Sequence, residues 1–162
     1  MRKQFGKTIV ELAKKDDKII LITGDVEQEM SEFKKLFPGR FFNLGLCEQT
    51  IISMSGGLAL KGFKPFVYSI TPFLIERAFE QIKIDIDYNN LSVTLIGYSD
   101  YPVHGITHRP LDAEGLIKIL PNTMGYFPRN NKETHKAMID AYLINKPAII
   151  CLKKDPNDRQ IF

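Results

Sequence analysis

Short apolar runs of strand length alternate with longer segments of helical pattern along this chain. That alternation constrains the fold more than any other feature of the sequence. Residues 18–23, 41–46, 63–69, 91–98, 124–127 and 147–152 read as strands. The first ends in Gly24-Asp25, and the fourth is apolar on both faces, as buried parallel strands are. Between them lie helical signals. Residues 3–14 put Phe5, Ile9, Val10 and Ala13 on one side. Residues 29–37 are stopped by Pro38-Gly39, and residues 111–120 by Pro121-Asn122. Residues 47–60 are rich in small side chains. A long helix opens at Thr71-Pro72-Phe73, with proline suited to a first turn, and continues through Leu74, Ala78, Ile82 and Ile86. Residues 131–145 place Glu133 near the positive end of their helix. Strand and helix therefore alternate six times, which predicts an α/β fold. The expected architecture is a doubly wound, mostly parallel six-stranded sheet with helices on both faces. One domain over residues 1–153 and a polar tail over 154–162 complete the expected organisation.

The chain has 162 residues, enough to bury a real core, with 44% hydrophobic and 25% charged residues. The net charge is +3, and acids and bases are interspersed, so no basic stripe points to nucleic acid. No apolar run approaches the roughly 20 residues that span a bilayer. The first residues, Met1-Arg2-Lys3-Gln4-Phe5, lack a signal-peptide core. Cys47 and Cys151 have neither metal nor redox spacing. These features point to a cytoplasmic protein with free thiols. No internal repeat or low-complexity segment is present.

Chemistry concentrates where strands end. Phe41-Phe42-Asn43-Leu44-Gly45-Leu46-Cys47-Glu48-Gln49 runs from a strand, past a glycine, to one acid at the start of an apolar helix. An open α/β sheet places ligands at such strand-to-helix junctions. The helix dipole favours a charge on Glu48 and burial opposes it; taken alone, the residue also fits a helix-capping acid. Asp25 follows the first strand at the same edge, as a turn residue or as a functional one. The loop after the fourth strand, residues 99–110, carries His104 and His108 at that edge too. His135 falls on a surface helix.

Asn43-Leu44-Gly45-Leu46-Cys47-Glu48-Gln49, followed by Gly56-Gly57-Leu58-Ala59-Leu60-Lys61-Gly62, resembles the pyrimidine-binding domain of transketolase-type thiamine diphosphate enzymes. The resemblance continues in order through almost the whole chain and implies the thiamine diphosphate-binding fold. It implies that Glu48 contacts N1′ of the cofactor's aminopyrimidine and activates it. An aromatic ring from the segment after the third strand would stack on that pyrimidine. Phe73 matches best, with Phe79 and Tyr68 as further candidates, and Arg77 lies beside them as a candidate substrate ligand. Gly105-Ile106-Thr107-His108 resembles the family's G-x-T-H, whose histidine faces substrate and thiazolium. Asp25 matches an acid near the family's subunit interface. Each glycine of Gly56-Gly57 costs a helix about 1 kcal/mol relative to alanine, so something must approach that backbone closely. In the family, helices of two domains pack there.

The resemblance also marks what the chain lacks. Family members bind Mg²⁺ and diphosphate through a Gly-Asp-Gly segment and a downstream asparagine in a separate domain. Here Gly24-Asp25 is followed by Val26. The chain is therefore expected to supply half of a site and no metal ligand of its own. Its expected partner is a diphosphate-binding, transketolase-like N-terminal subunit in a hetero-oligomer such as α2β2, or a second copy of itself; a fragment of a longer enzyme is the other possibility. Sugar-transferring transketolases usually carry an aspartate where His104 stands and a glutamine where Arg109 stands. An anionic or modified substrate, met by His104, His108, Arg109 and Arg77, follows from those departures. The expected reaction is transfer of a two-carbon ketol or acyl unit. A β-type subunit of a 2-oxo-acid decarboxylase or dehydrogenase, and a non-catalytic α/β interaction module, are the alternatives.

Overall fold

A computed structural model describes residues 1–99, 105–110 and 112–153. Six strands form one sheet: β1 (Ile19–Thr23), β2 (Phe41–Asn43), β3 (Lys64–Ile70), β4 (Thr94–Tyr98), β5 (Met124–Tyr126) and β6 (Ala148–Leu152). Their order is β2-β1-β3-β4-β6-β5, and every neighbouring pair is parallel. The helices are α1 (Arg2–Ala13), α2 (Ser31–Leu36), α3 (Glu48–Leu60), α4 (Phe79–Gln81), α5 (Ala113–Lys118) and α6 (Asn131–Ile144). The sheet winds outward in both directions from β1 and β3, which puts a crevice at their carboxyl ends.

Two cores sandwich the sheet because alternate residues of a strand point to opposite faces. Leu21, Phe66, Tyr68, Ile96 and Ile150 pack with Phe5 and Ile9 of α1, Phe33 of α2 and Met138 of α6. Ile22, Val67, Leu95 and Ile149 pack with Ile51 and Ile52 of α3, with Leu74, Ile82 and Ile86, and with Ile117 of α5. β1, β4 and β6 are buried along their whole length. α6 is capped at its start: Asn130 accepts a bond from the Glu133 amide, and the Glu133 carboxylate reaches back to the Arg129 amide.

Two elements differ from expectation. The long helix after β3 is broken into two π-helical stretches, Pro72–Glu76 and Ile82–Asp87, on either side of α4. The amides of Arg77 and Tyr88 reach back five residues, to the carbonyls of Pro72 and Lys83. The cause is the apolar seam Leu74, Ala78, Ile82 and Ile86, all buried, which recurs every four residues. In an α-helix such a seam would drift about 40° per step. Wider turns keep it on the sheet.

β2 is also shorter than the run 41–46. The Asn43 carboxamide accepts bonds from the amides of Asp25 and Gly45, and Gly45 turns the chain at φ 72°. A side chain that binds neighbouring amides ends a ladder in this way. The tail 154–162 lies outside the described residues.

Candidate active site

Glu48 is the first residue of α3 and is buried, 4% exposed. Its Oε2 lies 3.9 Å from Nη1 of Arg77. Its Oε1 is buried and has no hydrogen-bond partner among the described residues. A buried carboxylate oxygen left in that state is costly.

Arg77 and Phe73 both come from the first π-helical stretch and its cap. The Arg77 guanidinium carbon sits 3.7 Å above the Phe73 ring centroid. The same ring meets His108 in an edge-to-face contact, with centroids 4.8 Å apart and planes inclined by 66°. His108 belongs to a short 3₁₀ turn, Ile106–His108, and its Nδ1 lies 3.0 Å from Oγ1 of Thr107. Glu48, Arg77, Phe73 and His108 thus form one continuous cluster, fed by three different strand-to-helix connections. The loop is tied down beneath it: Thr71 Oγ1 and Ser99 Oγ are 2.7 Å apart. Gly97 leaves room for Thr71, whose Oγ1 would lie 2.6 Å from any Cβ at that position.

The other expected site residues fall elsewhere. Tyr68 is a correction: its ring lies in the core, stacked on Phe5 at 4.7 Å and 10°. β3 is buried on both faces, and Tyr68 takes the α1 side, away from the Phe73 ring. Phe79 packs partly buried against the core on the α3 side. Asp25 is an exposed turn residue in the left-handed region, φ 63°, at the carboxyl edge of β1. Arg109 is exposed, directly after the His108 turn. His104 lies outside the described residues. His135 is on α6, with Nδ1 3.1 Å from Oγ1 of Thr8, well away from the cluster.

Sequence reasoning missed three contributors. Ser69 Oγ, at the end of β3, is buried without a partner among the described residues. It faces the Gly24 backbone in the crevice between β1 and β3, where a Cβ on Gly24 would lie 3.5 Å from it. Asn43 organises the loop that presents Glu48, and it donates to Glu27 Oε1 at 2.7 Å. That bond, with the Lys34 ammonium, holds the Glu27 carboxyl below its ordinary value. An asparagine two residues before a glycine was the available signal. The Arg77 contact with Glu48 had none, because it depends on the π-helical turn.

Comparison with known proteins gives the cluster its family. Residues 1–157 match the family described as transketolase, pyrimidine binding domain. The 1-deoxy-D-xylulose-5-phosphate synthase of Lawsonia intracellularis is 34% identical over 90% of this chain, which covers 23% of that protein. One subunit of the apulose-4-phosphate transketolase of Phocaeicola vulgatus is 32% identical over 83% of this chain and 45% of that protein. The chain thus spans less than half the length of either relative. Among solved structures, a split-gene transketolase in an inactive β4 tetramer superposes with a TM-score of 0.86 at 31% identity, over 99% of this chain and 53% of that one. Transketolase from Campylobacter jejuni superposes with a TM-score of 0.86 at 20% identity, over 99% of this chain and 27% of that one. The chain belongs to the transketolase pyrimidine-binding domain family.

Proposed function

We propose that this chain is the pyrimidine-binding half of a thiamine diphosphate-dependent, transketolase-like transferase. It acts with a second polypeptide or domain that holds the diphosphate and Mg²⁺, and it moves a two-carbon ketol or acyl unit. One observation carries the reading: Oε1 of Glu48 is buried without a partner among the described residues, at the edge of an aromatic cluster. A protonated ring nitrogen, or a proton shared with one, fits that atom. Phe73 offers an aromatic face beside it. When bound, thiamine diphosphate supplies a nucleophilic carbanion at C2 of its thiazolium ring.

Within this chain, Glu48 would hold a proton between its Oε1 and pyrimidine N1′. A dry carboxyl in that position would hold that proton and orient the ring for the cofactor's own proton chemistry. Phe73 would keep the ring in register by stacking. His108, packed against Phe73, would stand on the substrate side and exchange protons with substrate oxygens. Arg77 and Arg109 put positive charge at the mouth, and His104 belongs to the same loop, so an anionic substrate is favoured. The phosphorylated sugars in the names of both relatives agree with this. The Mg²⁺ and diphosphate site belongs, in this reading, to the partner. A cytoplasmic location belongs to the same reading.

Calorimetry tests the half-site. The purified chain should bind thiamine diphosphate only weakly, with Mg²⁺ present, because most of the affinity comes from the diphosphate end. Mixing with a polypeptide that carries a Gly-Asp-Gly diphosphate site should restore tight, Mg²⁺-dependent binding. Micromolar, Mg²⁺-dependent binding by a demonstrated monomer of this chain alone would refute the proposal.

A further inference from the structure

Arg77 stands on the surface that a flat ligand ring needs. Its guanidinium is itself a flat, delocalised group, and it lies 3.7 Å over the Phe73 ring while pointing toward Oε2 of Glu48. Phe73 is only 7% exposed, so that stacking surface is covered. The two contacts that hold Arg77 are weak ones. The ion pair is long, at 3.9 Å, and the arginine side chain is 46% exposed. A half-exposed pair of that length contributes little, and stacking on phenylalanine at such a site is modest. The side chain therefore has both a reason to sit in the site and little to keep it there.

We propose that Arg77 is a gate that stands in for the aminopyrimidine while the site is empty. It shields the Phe73 face and balances the buried Glu48 carboxylate. A ring that enters must displace it, and the displaced guanidinium then faces solvent beside the ring, where an anionic substrate would meet it. This rests on the reading that Glu48 and Phe73 take the aminopyrimidine. A resident group of this kind lowers the apparent affinity by the fraction of time that it occupies the site.

The test uses the isolated chain and the hydroxymethyl aminopyrimidine fragment of thiamine, titrated by NMR. In the empty wild-type chain the Arg77 side-chain resonances should carry a ring-current shift from Phe73, absent in Phe73→Leu. That shift should disappear as the fragment saturates. Arg77→Ala should bind the fragment about two- to fivefold more tightly than wild type, the range expected for losing one such contact. Arg77→Gln, which keeps a polar partner for Glu48, gives a second readout if the alanine variant folds poorly. Adding Glu48→Gln separates the two ideas. If Glu48→Gln leaves fragment binding unchanged, the reading of Glu48 fails. If Glu48→Gln weakens binding while neither Arg77 variant strengthens it, the gate fails and the reading survives. Binding too weak to detect in every variant, or a ring-current shift that persists at saturation, also overturns the gate.

Discussion

Glu48 and Arg77 are coupled loosely enough to be changed without loss of the fold. Because Arg77 is half in solvent, the pair is worth at most about 1 kcal/mol. Urea unfolding of Glu48→Gln should therefore stay within about 1 kcal/mol of wild type. Cys151 gives a second residue-scale prediction. Burial pushes its thiol from the ordinary 9.0 up to about 12. A raised thiol pKa means that folding favours the neutral form, so this stability is complete below about pH 9 and is lost as pH rises toward 12. Iodoacetamide at pH 8 should label the half-buried Cys47 and spare Cys151 until the chain unfolds. Equal labelling rates would contradict it. Glu48 and Phe73 could be named as candidates because each matches a family segment, and the structure brings both into contact with Arg77. Tyr68 was not placeable, because every residue of β3 from Pro65 to Ile70 is buried, and an apolar strand hides which face each side chain takes.

Helix α3 illustrates what a sequence shows of an element and what it hides. The pair Gly56-Gly57 announced a close approach, and the structure divides the two. Gly56 lies against the chain's own 82–87 stretch, where a Cβ would meet the Asp85 carbonyl oxygen at 3.0 Å. Gly57 is exposed and faces open space. Gly56→Ala should destabilise the chain by about 1–3 kcal/mol through overpacking. Gly57→Ala should stabilise the isolated chain by up to about 1 kcal/mol through helix propensity. Thermal unfolding of the two variants separates them by sign. The element types and their order were legible from the alternation of periods. The π-helical stretches were not, although the four-residue step of their buried seam is visible in hindsight. β2 ended early for a reason outside the apolar pattern, the Asn43 side chain. Below pH 4.5, where Glu27 begins to lose the charge that Asn43 and Lys34 hold in place, this loop should lose stability.

The molecule has cores on both faces of the sheet and leaves apolar side chains exposed at both ends of α3. Leu46 is 68% exposed and Leu60 70%, on the loop and helix that carry Glu48, with Gly57 exposed on the same helix. Such a surface favours association, with a partner chain or with itself. Sedimentation at rising concentration should show self-association of the isolated chain, reduced by Leu46→Asp and Leu60→Asp; a wild-type monomer at all concentrations would contradict it. The measurement that bears most directly on the account is proton exchange at C2 of thiamine diphosphate in the complex with the diphosphate-binding partner. Glu48→Gln, folded and still assembled, should exchange slower than wild type by orders of magnitude. Exchange at the wild-type rate would show that Glu48 is not the group that activates the cofactor.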